Sequence, residues 1–408
     1  MTAGKRILMF PAGPAQREAF LAARDLGLRI VAVDRDPHAS CRTLADEFFV
    51  LDPGDPDALT AFALDYHQRT PLSGVLVVGC DIPVSCARVA AALGTPGLSE
   101  QAAALTVDKL RMKQVLRGEG VAVPDFYQVA DAGEVEALVR RQNRRMIIKP
   151  NDNSGARGVQ QLDIDSDFAQ AFTEAVSQVK RSGVILETFE PGPQISTEAL
   201  VYQGEIFLTG FADRNYEYIE HFFPHVLENG ATLPSSLNPT QREEVVDMFR
   251  RGIRALGIDN GVAKGDMVYT ADGAKVIEIA GRISGGKFAS MIVPQASGVQ
   301  LLHAALQVAV GQAPDSVYLR TTRDQGVAVR YMFPPSGRLI AVKGEEQARS
   351  LPGVLELVVS YQPGDLIGPM RSHPDRGGWV VCSAESRAAA VARAEDAISR
   401  VRFITSPA

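Results

Sequence analysis

The stretch that decides the fold is VIEIAGRISGG, Val276–Gly286, taken with the segment before it, AKGDMVYTADG, Ala263–Gly273. A run of strand-forming residues carries one acid, Glu278, between Ile277 and Ile279, followed by Arg282 and a glycine pair. Reading Ala271-Asp272-Gly273 as a three-residue hairpin loop, with Gly273 in the left-handed position, sets Thr270 opposite Ala274. Counting outward then sets Asp266 opposite Glu278. Directly opposed side chains lie ~5 Å apart at Cβ, and like charges there destabilise a sheet. The pair makes sense once a cation lies between the acids. Hard carboxylate oxygens suit Mg²⁺, which also leans on substrate phosphates. Arg282 shares the strand parity of Glu278, so it is expected in the same cleft, where a guanidinium can hold a phosphoryl oxygen bidentately. Gly285 and Gly286 would let backbone N–H groups approach an anion. The two isoleucines are expected to face the core on the opposite side. Solvated acids and a surface ion pair would explain any one of these residues; acid, opposed acid, arginine and glycines together favour a metal–phosphate site. Gly281–Lys287 also fits GxxxxGK, but a P-loop needs Ser or Thr next, and Phe288 stands there.

Upstream, RRMIIKP ends a strand on Lys149, and the small-residue loop Asn151–Gly158 follows. A lysine at a strand end before such a loop reads as a phosphate cover, in which backbone N–H groups and an ammonium cradle the polyphosphate. Then VILETFEPGPQISTEALV reads as strand, Pro-Gly turn and returning strand. Glu187 is placed to accept an adenine amino group, with backbone near Thr188 and Phe189 for the ring edge. Each of these segments alone could be a plain hairpin.

The first hundred residues alternate strand and helix (RILMF, AQREAFLAARDLG, RIVAV, PDALTAFALDYHQR, VLVVG, PVSCARVAAALG), which argues a parallel sheet with helices on its faces. The first turn, Pro11-Ala12-Gly13-Pro14, is not GxGxxG, so no dinucleotide site is assigned there. After Lys149 the texture changes to hairpins interrupted by a helix over 239–256. The 408 residues carry 42 basic against 48 acidic groups, a mildly acidic balance with no footprint for nucleic acid. Four cysteines form no CxxC pair, so neither a zinc site nor a disulfide framework is expected. The apolar run near the N-terminus spans five residues, a first strand rather than a signal peptide, and no run approaches the ~18 residues of a membrane span. The expectation is a cytoplasmic protein. His221 and His225 read as packed residues, and Arg371, His373, Asp375 and Arg376 as a salt-linked turn.

In order, DKLRMKQVLRGEGVAVPDF, IIKPNDNSGARGV, VILETFEPGPQISTE and GDMVYTADGAKVIEIAGRISGG resemble the ATP-grasp superfamily. Within it, the stretch HVLENGATLPSSL and the tail from AVRYMFPPSGRL onward are similar to L-amino-acid ligase-type carboxylate–amine ligases. The resemblance implies an α/β and α+β fold: a pre-ATP-grasp α/β domain over 1–100, an ATP-grasp domain over 101–323 with its lid about 120–190, and a small C-terminal α+β domain over 324–408. It implies ATP as cosubstrate, two Mg²⁺ with Mn²⁺ as a substitute, small-molecule carboxylate and amine partners, and a homodimer. By the same resemblance Lys109 and Lys149 would touch the ATP phosphates, and a loop with Ser154, Gly155 and Gly158 would close over them. Glu187 and Phe189 would meet adenine, and Gln194 the ribose. Asp266 and Glu278 would hold the metals. Arg282 would stabilise the transferring phosphoryl group, Gly285 and Gly286 would bind the carboxylate, and Glu228 would read the substrate amine. The chain departs from the pattern at Gln194, where a glutamate is usual, at Ala280, where an asparagine is usual, and at Ala231, where a histidine is common. Two other readings stay open on sequence: a relative that phosphorylates bicarbonate or formate, and a non-catalytic ATP-binding protein.

Overall fold

A computed structural model describes residues 2–406; Met1, Pro407 and Ala408, the ends of the first and third expected domains, lie outside the described residues. The alternating first hundred residues form a parallel sheet in the order Glu47–Val50, Arg29–Asp34, Arg6–Phe10, Gly74–Val77. Helices Arg17–Asp25 and Pro56–Arg69 lie between its strands in sequence, and helix Pro83–Leu93 follows the last of them. The sequence reading missed the edge strand Glu47–Val50, which is only four residues long. Helix Pro56–Arg69 begins as its sequence dictates: Asp55 accepts hydrogen bonds from the Asp57 and Ala58 amides, and Pro56 opens the first turn. At the first turn of the chain the Ala12 amide donates to Asp34 at 2.8 Å, and Gln16 donates to Val78 O at 2.7 Å. The crevice a dinucleotide would use is thus bonded within the protein.

The lid is a four-stranded antiparallel sheet, ordered Phe126–Val129, Val184–Thr188, Met146–Pro150, Gln160–Leu162. Helices Ala132–Gln142 and Phe168–Ser177 close its apolar face through Val135, Val139, Phe168 and Ala171. The largest sheet has eight antiparallel strands, ordered Gly273–Ala280, Gly261–Thr270, Gln194–Tyr202, Glu205–Asn215, Gly230–Leu233, Gly326–Met332, Gly378–Ala384, Val354–Val359. Strand Gly230–Leu233 pairs with Gly326–Met332, so residues beyond 324 continue the sheet that carries Asp266 and Glu278. Helix Pro239–Ala255 starts with a reciprocal cap between Asn238 and Gln241 and lays Val245, Phe249 and Ile253 on this sheet. Gly252 allows the approach: a Cβ there would sit 2.5 Å from Ile279 Cδ1. Among the described residues no helix is long and apolar enough to cross a membrane.

The decisive hairpin reaches its expected pairing by a different route. Thr270 pairs with Gly273, so the loop is Ala271-Asp272, two residues rather than three. Between Met267 and Asp266 the register shifts by one, and Asp266 still pairs with Glu278. Ile277 is the extra residue of a β-bulge. The bulge turns Ile277 into the cavity described below, so only Ile279 keeps the expected place in the core.

Candidate active site

Between the lid, the large sheet and the C-terminal end of the first sheet lies a cavity of about 590 Å³. The residues nominated from sequence line it, apart from Gly158. Gly158 sits at the base of its loop with φ +69°, and an added Cβ would be 3.0 Å from Gln178 Cβ and 3.1 Å from Pro150. It seats the loop against the lid rather than facing a ligand. Ser154 and Gly155 do face the cavity.

At the lid end, Lys149 stands on strand Met146–Pro150 beside Glu187 of strand Val184–Thr188. Its ammonium lies 2.8 Å from Glu187 Oε2, and that of Lys113, on helix Lys109–Gly118, lies 3.2 Å from Oε1. Burial alone would raise the Glu187 carboxyl, but Lys113 and Lys149 hold it below its ordinary value. Burial pushes Lys113 down to about 8. Glu187 is therefore first an anchor for two lysines, a partnership the sequence reading did not contain. Its Oε1 faces the Lys113 ammonium without a well-aligned hydrogen bond. The amides of Thr188 and Phe189 are already given to Asp125 O and Arg145 O, so they are not free for a ring edge. Phe189, Glu190 and Gln194 line the same end.

At the centre, Asp266 meets Arg214 Nη1 at 2.8 Å and also pairs with Lys264. Burial would raise the Asp266 carboxyl, yet Arg214 and Lys264 hold it far below the usual carboxylate range. Lys109 stands 3.4 Å from Glu278 Oε1 and donates to Asn153 O at 2.7 Å. Among the described residues no cluster of three or more His, Cys, Asp or Glu could hold a metal. Two acids alone would leave most of a hard cation's coordination to phosphates and water. Lys264 was legible, since it shares strand parity with Asp266. Arg214 was not, because only the sheet order brings it beside Glu228 and Asp266.

Arg282 follows the strand and enters the cavity, where its Nε lies 2.5 Å from Asp81 Oδ1. Asp81 comes from just beyond the C-terminal end of strand Gly74–Val77, the edge where open parallel sheets present ligand-binding groups. The first sheet touches the site directly: Gly79 N–H donates to Ile283 O at 3.2 Å. Ser284 N–H donates to the buried Glu198 at 2.7 Å, and burial pushes that carboxyl up to about 7. Gly286 and Lys287 both take positive φ, 60° and 64°, and then a π-helical turn Phe288–Ile292 begins. Lys287 points to Glu356, 3.2 Å away, so the GxxxxGK match forms no phosphate loop.

At the far end Glu228 lies 3.1 Å from Arg214 Nη2. The turn 371–376 is indeed self-capped, with Asp375 accepting from the Ser372 amide at 2.7 Å. It does more than the sequence reading gave it. His373, Pro374 and Arg376 line the cavity, and His373 N–H donates to Gly155 O of the phosphate loop at 3.0 Å. Burial, then Arg376 and Arg214, hold the His373 imidazole well below its ordinary value. The Arg376 guanidinium lies 3.7 Å over the Tyr331 ring and donates to Glu228 O at 2.5 Å. Arg376→Ala is expected to raise KM about tenfold for a substrate bound at this end of the cavity and to leave KM unchanged for one bound at the Lys149 end. Steady-state kinetics with each substrate varied in turn would check this. His221 and His225 lie outside the cavity lining; His221 is exposed and His225 half-buried, so the packed reading does not hold for His221.

The fold and this cavity define a class. Residues 106–286 match the ATP-grasp domain family, and the chain is an ATP-grasp protein, in the class of ligases that form C–N bonds. Its carboxyl-terminal part is more particular: residues 330–406 match L-amino acid ligase C-terminal domain 2. The chain is similar to L-arginine-specific L-amino acid ligase of Bacillus subtilis, with 24% identity over 68% of this chain and 67% of that one. It is 25% identical to carnosine synthase 1 of Mus musculus over 76% of its own length, and spans 40% of that longer protein. The crystal structure of L-amino acid ligase from Bacillus licheniformis superposes with a TM-score of 0.84 over 100% of both chains at 19% identity, a likeness of fold.

Proposed function

We propose that the protein activates the carboxylate of an amino acid as an acyl phosphate and joins it to an amine, releasing ADP and phosphate. The observation that carries this reading is one cavity gathering an opposed acid pair, Arg282 beside a glycine pair, and the Glu228–Arg214–Arg376 cluster. In the first step a carboxylate oxygen attacks the γ-phosphorus of ATP, and the bond to the bridging oxygen breaks with its electrons going to ADP. In the second, the amine nitrogen attacks the acyl carbon, phosphate leaves with the bonding pair, and the nitrogen loses a proton. Asp266 and Glu278 would hold two Mg²⁺, or Mn²⁺ in their place, which would supply charge neutralisation for the phosphates. Lys109 and Lys149 bind those phosphates under the Ser154–Gly155 loop. Arg282, oriented by Asp81, sits at the transferring group and, with Gly285 and Gly286, at the carboxylate. Glu228 reads the amino group of the carboxylate substrate. The loop, latched to His373, excludes water from the acyl phosphate. Catalysis is then mostly positioning and charge neutralisation. A second copy of the chain is the further expected partner, as a homodimer.

The test is ADP and phosphate release with Mg²⁺–ATP across a matrix of amino acids and amines, with mass detection of products. Release that needs two substrates, and a product lighter than their sum by one water, is expected. Release that depends on added bicarbonate or formate would instead support the carboxylase-like alternative. ATP binding without release across the whole matrix would support a non-catalytic protein.

A further inference from the structure

Three charged groups meet at the junction of lid and body, and only one of them reaches the cavity as a cation. Lys113 is fully buried and Glu187 is 3% exposed; Lys149 alone of the two lysines lines the cavity. Both lysines contact the same carboxylate, one oxygen each, at 3.2 and 2.8 Å. Two ammonium groups and one carboxylate leave the trio with a net charge of +1. Lys113 also donates to Ile277 O at 2.8 Å, the extra residue of the bulge next to Glu278.

We infer that Lys113 is a positioning residue that shares the charge of Glu187 and so leaves the Lys149 ammonium available to a nucleotide phosphate. This deepens the ligase reading above and rests on it. Without Lys113, Glu187 and Lys149 would form a closed neutral pair in a water-poor site. A phosphate would then have to compete with Glu187 for the ammonium, and opposite charges a few ångströms apart attract far more strongly there than in water. With Lys113 in place the carboxylate is drawn to both cations, and the surplus positive charge faces the cavity. The same ammonium braces the bulge from behind, so it joins the lid lysine to the strand that carries Glu278. Helix Lys109–Gly118 contributes both ends of this arrangement: Lys109 faces the cavity, and Lys113, one turn later, reaches behind it.

The experiment is titration of MgADP into the full chain by calorimetry, with a thermal melt of each variant. Lys113→Met is expected to weaken MgADP binding by about tenfold or more. Lys113→Arg keeps the charge and is expected to stay close to the parent. The double variant Lys113→Met with Glu187→Gln removes the competing carboxylate and keeps an acceptor oxygen, so it is expected to regain most of the lost affinity. A purely structural role for Lys113 predicts a lower melting temperature and no such recovery. Parent-like affinity in Lys113→Met would overturn the inference, and so would a double variant as weak as the single one. A parent protein that binds no MgADP at all would overturn the ligase reading itself, and this inference with it.

Discussion

Glu278→Gln is expected to lower ADP release by about a thousandfold while the protein stays folded. The substitution keeps the shape of the side chain and removes one charge. Glu278 is partly exposed to the cavity, and the buried Lys109, 3.4 Å away, keeps its hydrogen bond to Asn153 O at 2.7 Å when the charge is removed. What is lost is one of only two carboxylates opposed across the bulged strand pair. On the proposed reading Asp266 alone would then have to hold the metal, and Asp266 is already contacted by Arg214 and Lys264. An amide oxygen is a neutral and weaker partner for a hard divalent cation. The measurement is single-turnover ADP release at saturating Mg²⁺. Turnover within about tenfold of the parent would remove Glu278 from the metal site.

Arg282→Met is expected to cost about 10³-fold or more in kcat, the range seen when a cation that stabilises a transferring phosphoryl group is removed. Arg282 is unusual here because its partner belongs to another sheet: Nε is tied to Asp81 at the edge of the N-terminal strands. Of the outer nitrogens, Nη1 donates to Ile283 O at 3.3 Å, and the side chain lines the cavity. Lysine should not substitute, since a single ammonium cannot hold Asp81 and a phosphoryl oxygen in one plane. The check is kcat for Arg282→Met and Arg282→Lys, beside MgADP affinity. A loss confined to ADP binding, with normal kcat at saturation, would place Arg282 on the ground-state nucleotide instead of the transferring group.

The hairpin shows how far local pattern reasoning reaches. The acid opposition was legible because a strand alternates every two residues, and a turn residue sets where counting starts. The loop length was misjudged by one, and a bulge restored the register by one. Glu278 therefore landed where counting put it, but Ile277 did not, because a bulge breaks the alternation on which its assignment rested. Glu187 was legible as a site residue and illegible as a lysine anchor. Lys113 lies 74 positions earlier in the chain, on a helix with no local signal for a lid partner. The turn 371–376 was read correctly in its own geometry, since Asp375 caps it through neighbours. Its place at the cavity depends on the strand pairing of Gly230–Leu233 with Gly326–Met332, a contact across about a hundred residues that leaves no periodic trace.

By itself the sequence determined the alternating N-terminal half-domain, the order of the segments that line the cavity, and the residue types available at each. These depend on periodicity, turn chemistry and caps, all of which act over a few neighbouring positions. Only the tertiary structure decided which charges share a partner: Arg282 with Asp81, Lys113 with Glu187, Arg214 with both Glu228 and Asp266, Arg376 with Glu228. Such pairings follow from sheet order and domain docking, where distance in space is unrelated to distance along the chain. Electrostatic energy depends on the former, so the chemistry of the cavity becomes visible only once the strands are in place.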